Sequence, residues 1–189
     1  YDFNINKYGV SITVDSKETV YGTPVEELTW SLNGSLLGID TQDCLGIVLS
    51  TLAQNGSNAD TYAINVTQNS VNYIVTFNSA SYVITKATAN IEIVGDWTFT
   101  YDGTEQTIEV GANLNHGETT LVYSDNTFRD VPASGKQTVS ITAAATQNYT
   151  SANLSVVATI KKAKMTVYIV DKTSVYNEDF VGLEYTLSG

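Results

Sequence analysis

Apolar and polar residues alternate along most of the chain. Val10, Ile12 and Val14 are spaced by single polar residues, and the same period of two runs through Leu28, Trp30 and Leu32 and through Tyr62, Ile64 and Val66. It returns in Ile91 and Ile93, Ile108 and Val110, Leu121 and Tyr123, Val139 and Ile141, and then in Leu154, Val156, Ala158 and Ile160. Successive side chains of a strand point to opposite faces, so this period predicts strands with one buried and one wet face. Asn33-Gly34, Asn55-Gly56, Asp102-Gly103 and His116-Gly117 supply turn residues between the runs. No segment has a helical period. Gln42 to Leu52 comes nearest, but its Ile47, Val48 and Thr51 favour a strand. The pattern predicts an all-β chain of tandem small β-sandwich domains of the immunoglobulin-like kind. A β-grasp-like mixed sheet with one short helix is the alternative.

The same pattern repeats on a longer scale. Val10 to Gly34 aligns without gaps on Met165 to Gly189 at an offset of 155 residues, pairing Val20-Tyr21 with Val175-Tyr176, Trp30 with Tyr185 and Leu32 with Leu187. That offset is two periods of about 77 residues, which places a middle copy near residue 87. Three junctions mark the phase: Ile5-Asn6-Lys7-Tyr8, Ile84-Thr85-Lys86-Ala87 and Ile160-Lys161-Lys162-Ala163. Between them Asn72-Tyr73 recurs as Asn148-Tyr149. Residues 1–8 therefore read as the end of a preceding repeat, 9–87 as the first repeat, 88–163 as the second, and 164–189 as the start of a third that could pack on the second. No Gly-, Ser- or Pro-rich linker separates them, so little bending between repeats is expected.

Composition narrows the function. Only 15% of residues are charged, so Thr, Ser, Asn and Gln must provide the polar surface, as suits a secreted β protein. A net charge of −11, spread along the chain, repels nucleic acid; Lys161, Lys162 and Lys164 read as a solvated strand junction. No apolar run reaches the ~18 residues that span a bilayer, and the first residues are not a signal peptide. The chain reads as beginning within a longer protein. Cys44 is the only cysteine and His116 the only histidine. A disulfide within the chain is thus excluded, and Cys44 is expected to be a small buried apolar residue rather than a nucleophile.

The residues that carry the repeat resemble a known family. An alternating strand, Val-Tyr-Gly-Thr-Pro at 20–24, Leu28, an aromatic at 30, Asn72-Tyr73 and the run Tyr82 to Ala87 are similar to MBG domains of bacterial surface proteins, the YGX type above all. The likeness covers the first repeat and the start of the third, while the second repeat diverges. Asn177 stands where the first repeat has Gly22, and the middle copy reads Tyr101-Asp102-Gly103. The resemblance implies extracellular arrays attached to the cell envelope, some with adhesive roles, and it implies no catalytic residues.

Candidate chemistry is sparse. The adjacent acids Glu26-Glu27 and Glu178-Asp179 point to opposite strand faces, which is wrong for an acid and base acting together. Asp40 with Asp43 and the run Ser124-Asp125-Asn126 lack the ligand spacing of a calcium loop. No cofactor and no metal site is expected, and the segment is read as not an enzyme. Trp97, Phe99 and Tyr101 alternate with threonines and form either core or a shallow aromatic patch for ligand contact. The expected role is a non-catalytic spacer or stalk of a bacterial surface protein or adhesin, extracellular and secreted or wall-attached. It would be monomeric and partnered by neighbouring repeats. The alternatives are a module binding a host glycan or host protein, and an accessory domain of a secreted enzyme.

Overall fold

A computed structural model describes residues 1–91, 95–108, 120–179 and 182–189. Among them there is no α-helix, and the chain is all-β with several small sheets. Ile93, Val110 and the His116-Gly117 turn lie outside the described residues. The fold divides into two compact units, residues 1–90 with 144–152 and residues 91–143 with 153–189. The sequence repeat places 144–152 in the second copy, whereas by contacts this segment belongs to the first unit.

The first unit has two sheets. In one, β1 (Tyr8–Val14) lies between β3 (Trp30–Asn33) and β6 (Tyr73–Phe77). In the other, the order is β2 (Lys17–Val20), β7 (Ala80–Thr85), β5 (Asp60–Thr67) and β4 (Val48–Thr51). Val10, Ile12 and Val14 of β1 share one core with Tyr73 and Val75 of β6, Ile64 of β5, and Tyr82 and Ile84 of β7. Both sheets turn their apolar faces into that core, as the alternation predicts. Tyr82 is fully buried, and its hydroxyl accepts a 2.7 Å hydrogen bond from the Glu26 amide. A buried phenol is thereby kept satisfied.

Two of the ladders are parallel and keep one register. Tyr8 to Ile12 pair with Tyr73 to Phe77, and Lys17 to Val20 pair with Tyr82 to Thr85, so each residue faces the one 65 positions later. The stretches 8–20 and 73–85 thus run side by side while crossing together from one sheet to the other. At the crossing the Asn78 side chain replaces a strand partner, accepting from the Val14 amide at 2.8 Å and donating to the Val14 carbonyl at 3.2 Å.

Gln42–Leu45 is a 3-10 turn, and only Val48–Thr51 of the run expected as a strand is one. Gly46 ends the turn with φ +58, and a Cβ there would lie 2.9 Å from the Asn69 carbonyl oxygen. The close approach of the two backbones, together with the positive φ, breaks the strand at this point. The turn buries Leu45 and leaves Cys44 exposed, which corrects the expectation that Cys44 is the apolar residue of this segment.

In the second unit the sheet order is β8 (Thr98–Thr100), β11 (Ala152–Lys161), β10 (Lys136–Ala143) and β9 (Leu121–Ser124). Ile108, Phe128, Val139, Ile141, Val156 and Ile160 form its core. Asn126 serves Ile108 as Asn78 serves Val14, accepting from its amide at 2.7 Å and donating to its carbonyl at 2.8 Å.

The strands β12 (Thr166–Val170) and β13 (Glu184–Ser188) make a separate antiparallel ladder. Val167 faces Leu187 and Ile169 faces Tyr185, the register in which Ile12 faces Leu32 and Val14 faces Trp30, displaced by 155 residues. The turn repeats as well. Gly22 has φ +85 and Asn177 φ +75, and the bond from Thr23 N to Val20 O recurs from Glu178 N to Val175 O. Tyr185 stands at the repeat position of Trp30, which packs against the first core, but it is 65% exposed on a ladder of two strands alone.

Candidate functional site

The first unit holds two corners built to one plan. At the first, the Lys7 ammonium donates to the Ser70 carbonyl at 2.9 Å, the Tyr8 amide donates to the Asn72 carbonyl at 2.9 Å, and the Tyr73 amide donates to the Ser70 hydroxyl at 3.2 Å. At the second, Lys86 donates to the Thr146 carbonyl at 2.6 Å, the Ala87 amide to the Asn148 carbonyl at 2.9 Å, and the Tyr149 amide to the Thr146 hydroxyl at 3.1 Å. A Ser or Thr two residues before Asn-Tyr bends the chain by accepting from the backbone three residues on. The lysine ties down the carbonyl that this bend exposes.

The corners differ in what their asparagines do. Asn148 is 5% exposed; its Oδ1 accepts from the Ala59 amide at 2.9 Å and its Nδ2 donates to Asn58 Oδ1 at 3.1 Å. Gln147 beside it donates to the Ala59 carbonyl at 2.7 Å, and the Tyr149 ring meets Tyr21 edge to face at 5.5 Å. Asn72 is exposed, and its side-chain amide has no hydrogen-bond partner among the described residues. It borders a shallow cleft of about 260 Å³ that Ile5, Lys7, Leu37, Asp40 and Tyr73 also line.

Tyr73 anchors this cleft. Its hydroxyl donates to Asp40 Oδ2 at 2.7 Å and accepts from the Leu37 amide at 3.1 Å. The Leu37 amide favours the phenolate, but burial and the Asp40 carboxylate outweigh it, and the phenol titrates above its ordinary value. Asp40 is thus engaged with Tyr73. Among the described residues no three His, Cys, Asp or Glu side chains gather as a metal site would require.

In the second unit, Trp97 and Phe99 pack against the core, and Phe99 meets Phe128 edge to face at 5.2 Å. Tyr101 is 37% exposed beside an open cleft of about 440 Å³ lined by Val131, Lys162, Ala163 and Met165. The structure therefore splits the aromatic triplet, with two rings inward and one at the surface. The Asp102 carboxylate that follows accepts from the Thr104 amide and hydroxyl, and also from Gln106; together these hold it below the usual carboxylate range, against the opposing effect of desolvation. Glu26, Glu27, Glu178 and Asp179 are all exposed.

The registers, the turn at Gly22 and the Asn-Tyr corner are the features that a comparison with known families can weigh. Residues 10–83 match the MBG domain family, YGX type. The match lies within the first unit and spans the strands from β1 into β7. Such a match suggests a repeat domain of a surface protein. No curated protein and no solved structure matches the chain. Sequence reasoning found the Asn-Tyr repetition that marks the corners but gave it no role. The signal was the recurrence of Lys ahead of each junction, read there only as a phase marker.

Proposed function

We propose that this segment is a non-catalytic, load-bearing spacer of a bacterial surface protein, lying outside the cell and built from tandem immunoglobulin-like domains of which the MBG domain is one. The observation that carries the reading is the pair of parallel ladders in the first unit. The chain enters the domain at Tyr8 and leaves it beyond Thr85, at opposite ends of two strand runs paired in one register. Tension applied along the chain pulls 8–20 and 73–85 in opposite directions, so the ladder bonds bear load side by side and must fail together. Pulling Tyr8 away from Tyr73, its neighbour in the ladder, would open the same bonds one after another.

Single-molecule force measurements test this directly, with the domain held either at residues 8 and 85 or at residues 8 and 73. A spacer should resist several-fold more force in the first geometry. Equal forces in the two geometries would remove the mechanical reading.

A second reading is supported by the surface position of Tyr101. An exposed ring at an open cleft is a stacking platform for a sugar or an apolar side chain of a host protein. Loss of binding in Tyr101→Ala, on an array of host glycans, would favour a binding module over a spacer.

A further inference from the structure

We infer that the corner around Asn72 is a docking surface for another domain of the same kind, joined ahead of Tyr8 in the same chain, and that Asn72 holds it as Asn148 holds residues 58–59. The inference rests on the spacer reading and adds the residue through which one domain would engage the next. Its basis is one plan seen twice, once filled and once open. Lys86, Ala87, Thr146, Asn148 and Tyr149 reproduce the backbone and lysine contacts of Lys7, Tyr8, Ser70, Asn72 and Tyr73. In the filled corner the asparagine amide is buried against the Ala59 backbone amide and the Asn58 side chain, with both its donor and its acceptor used. In the open corner the equivalent amide faces solvent.

The occupant is identified by the residues that lead into the open corner. In the first repeat Tyr82 and Ile84 precede Lys86, are 0% and 4% exposed, and close the domain as strand β7. Phe3 and Ile5 hold the same positions ahead of Lys7 and are 89% and 80% exposed. Alternating apolar residues left in water mark a closing strand without its sheet. A domain completed by that strand would bring its own counterpart of Asn58-Ala59 to Asn72, because Lys7 stands to Asn72 as Lys86 stands to Asn148. Val71 and Tyr8, exposed beside Asn72, are the apolar rim that such a contact would cover.

The test compares the chain as it is with a chain extended by placing residues 1–86 ahead of Tyr8, so that the new junction reads like the one at Lys86. In the natural chain Asn72→Ala should leave the thermal midpoint within about 1 °C, and Asn148→Ala should lower it by roughly 5 °C. In the extended chain Asn72→Ala should cost as much as Asn148→Ala does. The side-chain amide resonance of Asn72 should also become protected from solvent exchange there. Asn72→Ala costing no more in the extended chain than in the natural one, or failure of the added copy to fold against the corner, overturns the inference. Forces that do not depend on pulling geometry would instead count against the spacer reading while leaving the docking result standing.

Discussion

At the scale of single residues, much of this protein is held by asparagines that stand in for strand partners. Asn126 occupies both the amide and the carbonyl of Ile108, a residue 1% exposed. Asn126→Ala strands both groups and should destabilise the second unit by about 1–3 kcal/mol in chemical denaturation. Asn126→Asp restores only the acceptor and should not rescue it. Tyr73 gives a pH signature in the first unit. Its phenol titrates above the ordinary value of about 10 in the folded state. Its contribution is therefore fully present below that value and is lost as pH rises through the folded one. Alkaline titration followed by circular dichroism should show a loss of first-unit stability above about pH 10 that is reduced in Tyr73→Phe. None of these pairings was legible in the sequence. An asparagine in a turn-rich stretch announces a turn, and nothing local tells which backbone its amide will meet. Cys44 and Leu45 show the same limit, since a one-residue turn in backbone direction decided which of two neighbours was buried.

Secondary-structure elements were far more legible, because their information is periodic. The alternations at Val10 to Val14, Tyr62 to Val66 and Leu154 to Ile160 all became strands with the apolar side inward. Pairing direction was not legible. Alternation is the same in parallel and antiparallel strands, and only the return of 73–85 alongside 8–20 distinguishes them. The run from Gln42 failed for a related reason, since the constraint at Gly46 comes from the Asn69 backbone, distant in sequence. The turn after Val20 offers a test at this scale. Gly22 and Asn177 share positive φ, and no atom crowds a Cβ at Gly22. Gly22→Val should cost about 1–2 kcal/mol from backbone strain alone. Gly22→Asn, which copies the third repeat, should cost clearly less; equal losses in thermal unfolding would show that the turn is set by something other than φ.

On the scale of the whole molecule, net charge was readable from the start, and it leads to a measurement. The chain carries a net charge of −11 and an isoelectric point near 4.2. Mutual repulsion keeps such molecules apart at neutral pH and vanishes near the isoelectric point. Solubility should therefore pass through a minimum close to pH 4.2, a result readily read by light scattering across a pH series. The aromatic triplet was only half legible, since one period-two run placed Trp97 and Phe99 inward while Tyr101, past the strand end, escaped it.

The constant register of the parallel ladders also bears on how such a protein can change over generations. Entry and exit lie at opposite ends of a run of paired strands some 13 residues long, roughly 40 Å at the rise of a strand. In the tandem array proposed above, deleting or duplicating one period between matching lysine junctions would exchange one whole domain for another of its kind. On that reading, recombination between repeats would adjust reach in steps of one domain.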